Sequence, residues 1–355
     1  GSIFIDRDGE RFGVILGFLR DLDGSHTQRA IRALPEAAQE AMMQELDYFG
    51  LEDAVFGAWL WIDGAAFRPG PEMKEGRTEC AAVFAGGRVV VFGAGDSGQA
   101  LNALLDARTI AVAPEPDLLA GWQGCAVVQI DADRVLVAGG ADNYGQCLKQ
   151  TQVLHLSTLK VEPGPQMASA RCWSAAVALD AHRILVVGGC GDAGVESAST
   201  EVLSLDNMTF THGPDMLIGR SGCAAVSLDE FRVMVVGGSD PDAGLSTEIL
   251  DVRTMAFTPG PAMRSARWEC ATVSIDAGHL LVIGGQDASG AASATSEVLD
   301  VLKMAFAPGP TMQVGRSGCA AVFLDDPQGP RILVIGGGDE ESDISTTEVL
   351  EARRI

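Results

Sequence analysis

The sequence predicts an all-β protein: six four-stranded sheets packed radially into a closed, six-bladed β-propeller, behind a short α-rich N-terminal segment. Three observations carry that expectation. A glycine doublet recurs every 47 to 52 residues. Inside each interval, four strand-like pieces follow one another in a fixed order. The last interval lacks its final piece, and a copy of that piece stands alone upstream of the first.

The doublets are Gly139-Gly140, Gly188-Gly189, Gly237-Gly238, Gly284-Gly285 and Gly336-Gly337, with a decayed copy at Gly93-Ala94-Gly95. Such a period is the signature of a repeat architecture, and six units fill the chain from about residue 65 onward. One unit shows the grammar in Arg220–Asp229, Arg232–Gly238, Ser246–Asp251 and Phe257–Met263. Its strand segments are short, rich in β-branched or small residues and bounded by Asp, Gly or Pro, which reads as four strands joined by turns. Leu-Asp-x-x-Arg between the first two strands is a tight hairpin connection. The doublet ends the second strand, where a side chain would obstruct a close backbone approach. Pro-Gly-Pro at 163–165, 259–261, 308–310 and 69–71 closes the fourth strand.

A four-stranded unit of this size cannot bury both faces of its own sheet, whereas a ring of such sheets buries each against its neighbours and leaves only short edges. The last unit stops after its third strand, Thr347–Glu351, and Phe67–Met73 supplies the missing fourth. The propeller is therefore expected over residues 58–355, its sixth blade closed by an N-terminal strand at 66–73.

With these residues in view, the chain resembles the kelch repeat over roughly residues 65–355. The five intact doublets match that motif's diglycine. Its downstream Tyr position holds Leu154, Leu203, Leu250 and Leu299, and its Trp position holds Val161, Phe210, Phe257 and Phe306, with six residues between them as the motif requires. The replacements stay apolar, so these are divergent repeats.

Residues 1–57 do not fit the repeat. Glu10–Arg20 and Glu36–Tyr48 read as two helices, the second opened by Pro35 and ended by Gly50. Ile3–Arg20, then Leu34-Pro35 and Glu45–Leu51, resemble the C-terminal half of a BTB/POZ domain of the potassium-channel-tetramerisation type. The plainer alternative is a helical extension of the propeller. The chain opens on Gly1-Ser2 with no initiator Met, so it is expected to be a piece of a longer protein.

The formal charge of −23 disfavours nucleic acid and anionic membrane surfaces as partners. No apolar run approaches the length of a spanning helix. Cys80, Cys125, Cys223, Cys270 and Cys319 share one repeat position, which holds Ser174 in the third unit. That placement on different blades reads as small core residues, and unpaired thiols at this density point to a reducing, cytoplasmic setting. The cysteines show no metal-ligand spacing, and His26, His155, His182, His212 and His279 are scattered over different repeat positions, so neither metal nor cofactor is expected. Copper radical oxidases share the kelch-type propeller but need tyrosine ligands, and only Tyr48 and Tyr144 occur.

The most patterned polar feature is a ring. Arg77, Arg171, Arg220, Arg267 and Arg316 precede the first strand of five blades, with Trp122 in the remaining one. Glu201, Glu248, Glu297 and Glu348 open the third strand, and Asp142, Asp192, Asp240, Asp287 and Asp339 follow the doublets. The loops before strands one and three emerge at the same end, so these charges converge. Either each Arg holds its own loops through a carboxylate, or some stay available to grip a partner beside Trp122, Trp173 and Trp268. The candidate partner face is thus Arg77, Trp122, Arg171, Trp173, Arg220, Arg267, Trp268 and Arg316.

The function expected is a non-enzymatic adaptor or scaffold, with a protein partner on the propeller's loop face. The resemblance implies self-association through an intact BTB domain. It also implies a cullin as a candidate partner, since some BTB–kelch proteins recruit substrates to cullin-RING ubiquitin ligases. The alternative is an enzyme acting on a small molecule in the central channel, for which no nucleophile–base pair is evident.

Overall fold

The computed structural model describes residues 66–95, 100–106, 122–142, 144–191, 193–276, 278–326, 329–339 and 342–351. Within them the chain is an all-β, six-bladed propeller, with no helix among the described residues. Blades two to five each hold four strands in sequential antiparallel order, as in Cys172–Ala178, Arg183–Cys190, Thr200–Ser204 and Thr209–His212 of blade three. Blade one shows three described strands, Thr78–Ala85, Arg88–Ala94 and Ala100–Asp106. The first strands are innermost: each packs against the first strand of the blades on either side, and the contact between Thr78–Ala85 and Ala320–Asp326 completes the circle.

Burial explains the composition of each strand. Second strands are covered on both faces by adjacent blades, so they read as continuous apolar runs rather than alternations. Ile184, Leu185, Val186 and Val187 are fully buried, as are Val233 to Val236 and Leu280 to Ile283 within a percent. The core is a series of inter-blade layers. Val89, Val91 and Leu105 of blade one meet Leu324, Leu333 and Ile335 of blade six in one of them. Another joins Leu185 and Val187 to Val233 and Val235.

The glycine doublets stitch these layers together. The second glycine's N–H donates to the carbonyl of the arginine leading into the next blade: Gly140 to Arg171, Gly189 to Arg220 and Gly285 to Arg316, at 2.7 to 2.8 Å. Gly337 makes the same bond to Arg77 at 2.9 Å, which carries the pattern across the closure. The first glycine of each doublet has a positive φ, and a Cβ on Gly237 would run into the Arg267 carbonyl. Only glycine meets both demands.

The sixth blade consists of Ala320–Asp326, Gly329–Ile335 and Thr347–Glu351, with Arg68–Pro69 paired antiparallel on its outer edge. The closing segment repeats the docking seen elsewhere. In blade four Gly260 N–H binds the Thr247 carbonyl and the Thr247 hydroxyl binds the Pro261 carbonyl; Gly70, Thr347 and Pro71 do the same at 2.7 to 2.8 Å. Phe67 and Met73 are buried at 2% and 3% exposure, so this segment also fills the core. The helices and the BTB/POZ resemblance expected over residues 1–57 lie outside the described residues, as does Asp192.

Candidate functional site

The structure places all five ring arginines inside the blades. Arg77, Arg171, Arg220, Arg267 and Arg316 are at most 2% exposed. Each of the last four meets the glutamate on the third strand of its own blade. In blade four, Arg220 Nε and Nη2 donate to Glu248 Oε1 at 3.1 and 3.0 Å, and Nη1 donates to the Gly237 carbonyl at 2.7 Å. Glu248 in turn accepts the backbone N–H groups of Leu217 and Ile218 at 2.7 and 3.2 Å. A buried charge pair is tolerated when its remaining donors and acceptors are filled in this way. These guanidinium groups hold loops and are not presented to a partner. Blade two replaces both members at once, with Trp122 at the arginine position and Gln152 opposite Val137, where Glu201 stands opposite Val186 in blade three. Trp122 packs into the layer between blades one and two.

A second ring lies around the channel. The residues before the repeated Cys/Ser position are Glu79, Gly124, Trp173, Gly222, Glu269 and Gly318, and all six have φ between 50° and 63°. Side chain and glycine alternate around the circle. The close neighbours explain why: a Cβ on Gly124 would strike the Trp173 indole at 2.8 Å, and one on Gly318 would strike the Glu79 backbone nitrogen at 2.7 Å. Backbone hydrogen bonds run from Trp173 to Gly124, Gly222 to Trp173, Glu269 to Gly222, Gly318 to Glu269 and Cys80 to Gly318, at 2.6 to 3.0 Å. Glu79, Trp173 and Glu269 therefore stand on a rigid collar of strained, mutually bonded positions.

On one side of the collar is a cavity of about 510 Å³ lined by Glu79, Glu269, Gln286, Ser317, Asp339 and Asp343, among others. On the other is a narrow space of about 90 Å³ ringed by Cys80, Cys125, Ser174, Cys223, Cys270 and Cys319. Burial pushes the Glu79 carboxyl up to about 7, with the Glu269 charge adding to the shift and Trp173 opposing it. Burial also raises Glu269, whose Oε2 accepts the Ser317 hydroxyl at 2.7 Å. Glu79 Oε2 is buried with no hydrogen-bond partner among the described residues. The collar thus holds a carboxyl that changes charge near neutrality. Burial raises the Cys80, Cys125 and Cys270 thiols to about 12 and Cys223 and Cys319 to about 11, so they stay protonated and unreactive.

Five of the six large apolar side chains exposed among the described residues share one end of the propeller. Tyr144 (90% exposed), Val195 and Leu245 project from loops between the second and third strands of blades two, three and four. Leu217 and Val314 project from loops that lead into blades four and six. Trp268 also lies on an entry loop, half-buried, with its backbone bridged to Gln286. Phe231, at the opposite end, is capped by the Arg253 guanidinium 4.8 Å from its ring centroid.

The collar glutamates could have been found in the sequence, since Glu, Gly, Trp, Gly, Glu, Gly precedes the Cys/Ser position in order. The grouping of all three cysteines outside that position could not. Cys147, Cys172 and Cys190 converge in space although no ligand-like spacing joins them. No protein-family model matches the chain, and no curated protein matches it.

Proposed function

We propose that this chain is a non-enzymatic adaptor of the kelch-repeat type whose propeller offers one loop end to a protein partner. The observation that supports this most directly is the clustering of Tyr144, Val195, Leu217, Leu245 and Val314 at one end, against the single exposed Phe231 at the other, which stacks under the Arg253 guanidinium. Clustered apolar side chains in a polar rim suit protein docking, and a Tyr or Trp anchor there carries much of the energy. The N-terminal BTB-like residues then provide self-association, with a cullin as the partner of an intact domain and the cytoplasm as its setting. Photo-crosslinking from position 144 against position 231 tests the face. The reading expects capture of one partner from 144 alone, with affinity lowered about thirtyfold by Tyr144→Ala if it is an anchor. Equal capture from both positions overturns it.

A second reading rests on Glu79. A carboxyl poised near neutrality beside a 510 Å³ cavity suits a small cationic or hydroxyl-bearing molecule. Glu79→Gln abolishes such binding and leaves the loop-face partner bound, so one variant distinguishes the two.

A further inference from the structure

Cys147 lies in the loop between the second and third strands of blade two, Cys172 heads the first strand of blade three, and Cys190 ends the second strand of that blade. Their sulfur atoms all lie within 4.8 Å of one another. Cys147 and Cys172 are joined as a disulfide, and the Cys190 Sγ stands 3.7 Å from the Cys172 Sγ. Backbone pairing fixes the arrangement. Cys172 and Cys190 are direct partners across the sheet, Cys147 is bridged to Ala141, and the Arg171 N–H binds the Leu148 carbonyl at 2.9 Å. Ala141 and Trp173 pack around the three sulfurs.

We propose that, once the disulfide is reduced, Cys147, Cys172 and Cys190 form a three-thiolate site for a soft divalent ion such as Zn²⁺. The three sulfurs are grouped closely enough to be drawn onto one ion. Tetrahedral zinc with bonds of about 2.3 Å spaces its sulfurs about 3.8 Å apart, which is the separation Cys172 and Cys190 already have. A dithiol reductant opens the site. Its two thiols become its own disulfide, the Cys147–Cys172 bond breaks, and two protons pass to the released sulfurs. Zinc then forms three S–Zn bonds as the three thiol protons leave to solvent. The partly exposed Cys147 side leaves the fourth position to water. The ion would pin the loop carrying Tyr144 to blade three, alongside the loop carrying Val195. The inference does not depend on what that end binds.

The test uses the full chain, treated with a dithiol that is then removed, and reads bound zinc by elemental analysis. The expected result is about one zinc per reduced chain and none per oxidised chain. Cys190→Ser, which leaves the disulfide pair untouched, lowers zinc affinity by more than about tenfold. Cys223→Ser, in the channel ring, leaves it unchanged. Cobalt substitution gives an independent readout through sulfur-to-metal charge-transfer absorption, which Cys190→Ser weakens. A reduced chain that binds no zinc overturns the proposal, as does Cys190→Ser binding zinc like the wild type, or Cys223→Ser losing it.

Discussion

Arg220→Ala is the sharpest probe of whether the arginine ring is architecture. The substitution strands a carboxylate that is about 2% exposed, along with the Gly237 and Ser246 carbonyls that Nη1 serves at 2.7 and 3.2 Å. Removing one partner of a buried pair costs about 3–5 kcal/mol, because the other charge remains in the low-dielectric interior. A propeller of roughly 290 residues has an unfolding entropy near 0.6 kcal/mol/K at ~2.1 cal/mol/K per residue, so Tm falls by about 5–8 °C. Blade two shows that losing both charges is acceptable, since Trp122 and Gln152 replace them together. Arg220→Met combined with Glu248→Gln should therefore cost about 1–3 kcal/mol less than the sum of the two single changes. The assay is thermal unfolding of the full chain by circular dichroism, alongside affinity for whatever position 144 captures. A wild-type Tm for Arg220→Ala, or lost affinity at unchanged Tm, refutes the reasoning and returns the guanidinium to the binding face.

Four further outcomes follow from the geometry. Gly237→Ala forces a Cβ onto the Arg267 carbonyl at φ +67°, whereas Gly145→Ala at φ +76° meets open space. Both carry a left-handed penalty of about 1–2 kcal/mol, so their difference in denaturant unfolding isolates the clash, and equal losses would deny it. The Glu79 carboxyl, raised from 4.5 to about 7, holds its proton in the folded chain while the unfolded chain releases it. Stability is thereby lost as pH rises from about 4.5 to about 7, so the Tm advantage of Glu79→Gln should grow across that window and level off above it; a pH-independent advantage contradicts the shift. Deleting residues 1–73 should lower Tm far more than deleting 1–55, since Phe67, Met73 and the Arg68–Pro69 pairing go with the longer cut, and equal melting would discard that closure. Alkylation at neutral pH should spare Cys80, Cys125, Cys223, Cys270 and Cys319, whose thiols are raised to about 11–12, and mass spectrometry of the modified peptides reads this directly.

What was legible in the sequence is what the backbone repeats. Gly188-Gly189 and Pro-Gly-Pro mark turns whose geometry hardly depends on neighbours, so blade number and strand order followed from spacing alone. The Arg220–Glu248 pair was also visible as a register, one residue ahead of the first strand and one opening the third. Its burial was not, because a formal charge reads as surface until packing on both sides is known. The cysteine cluster divides the same way. Once the hairpin turn near Asp180 fixes the register, Ile184 pairs Ala178 and the count carries Cys190 opposite Cys172. Two of the three sulfurs were therefore derivable from turn chemistry. The third was not: Cys147 arrives on a loop of blade two that is bridged to Ala141 within that blade and held to blade three by the Leu148 carbonyl, two backbone contacts that recur in other blades, whereas the cysteine the loop carries does not recur. Sites spanning two blades are where reading a repeat fails, because the repeat describes each blade and the site depends on how one departs from its neighbour.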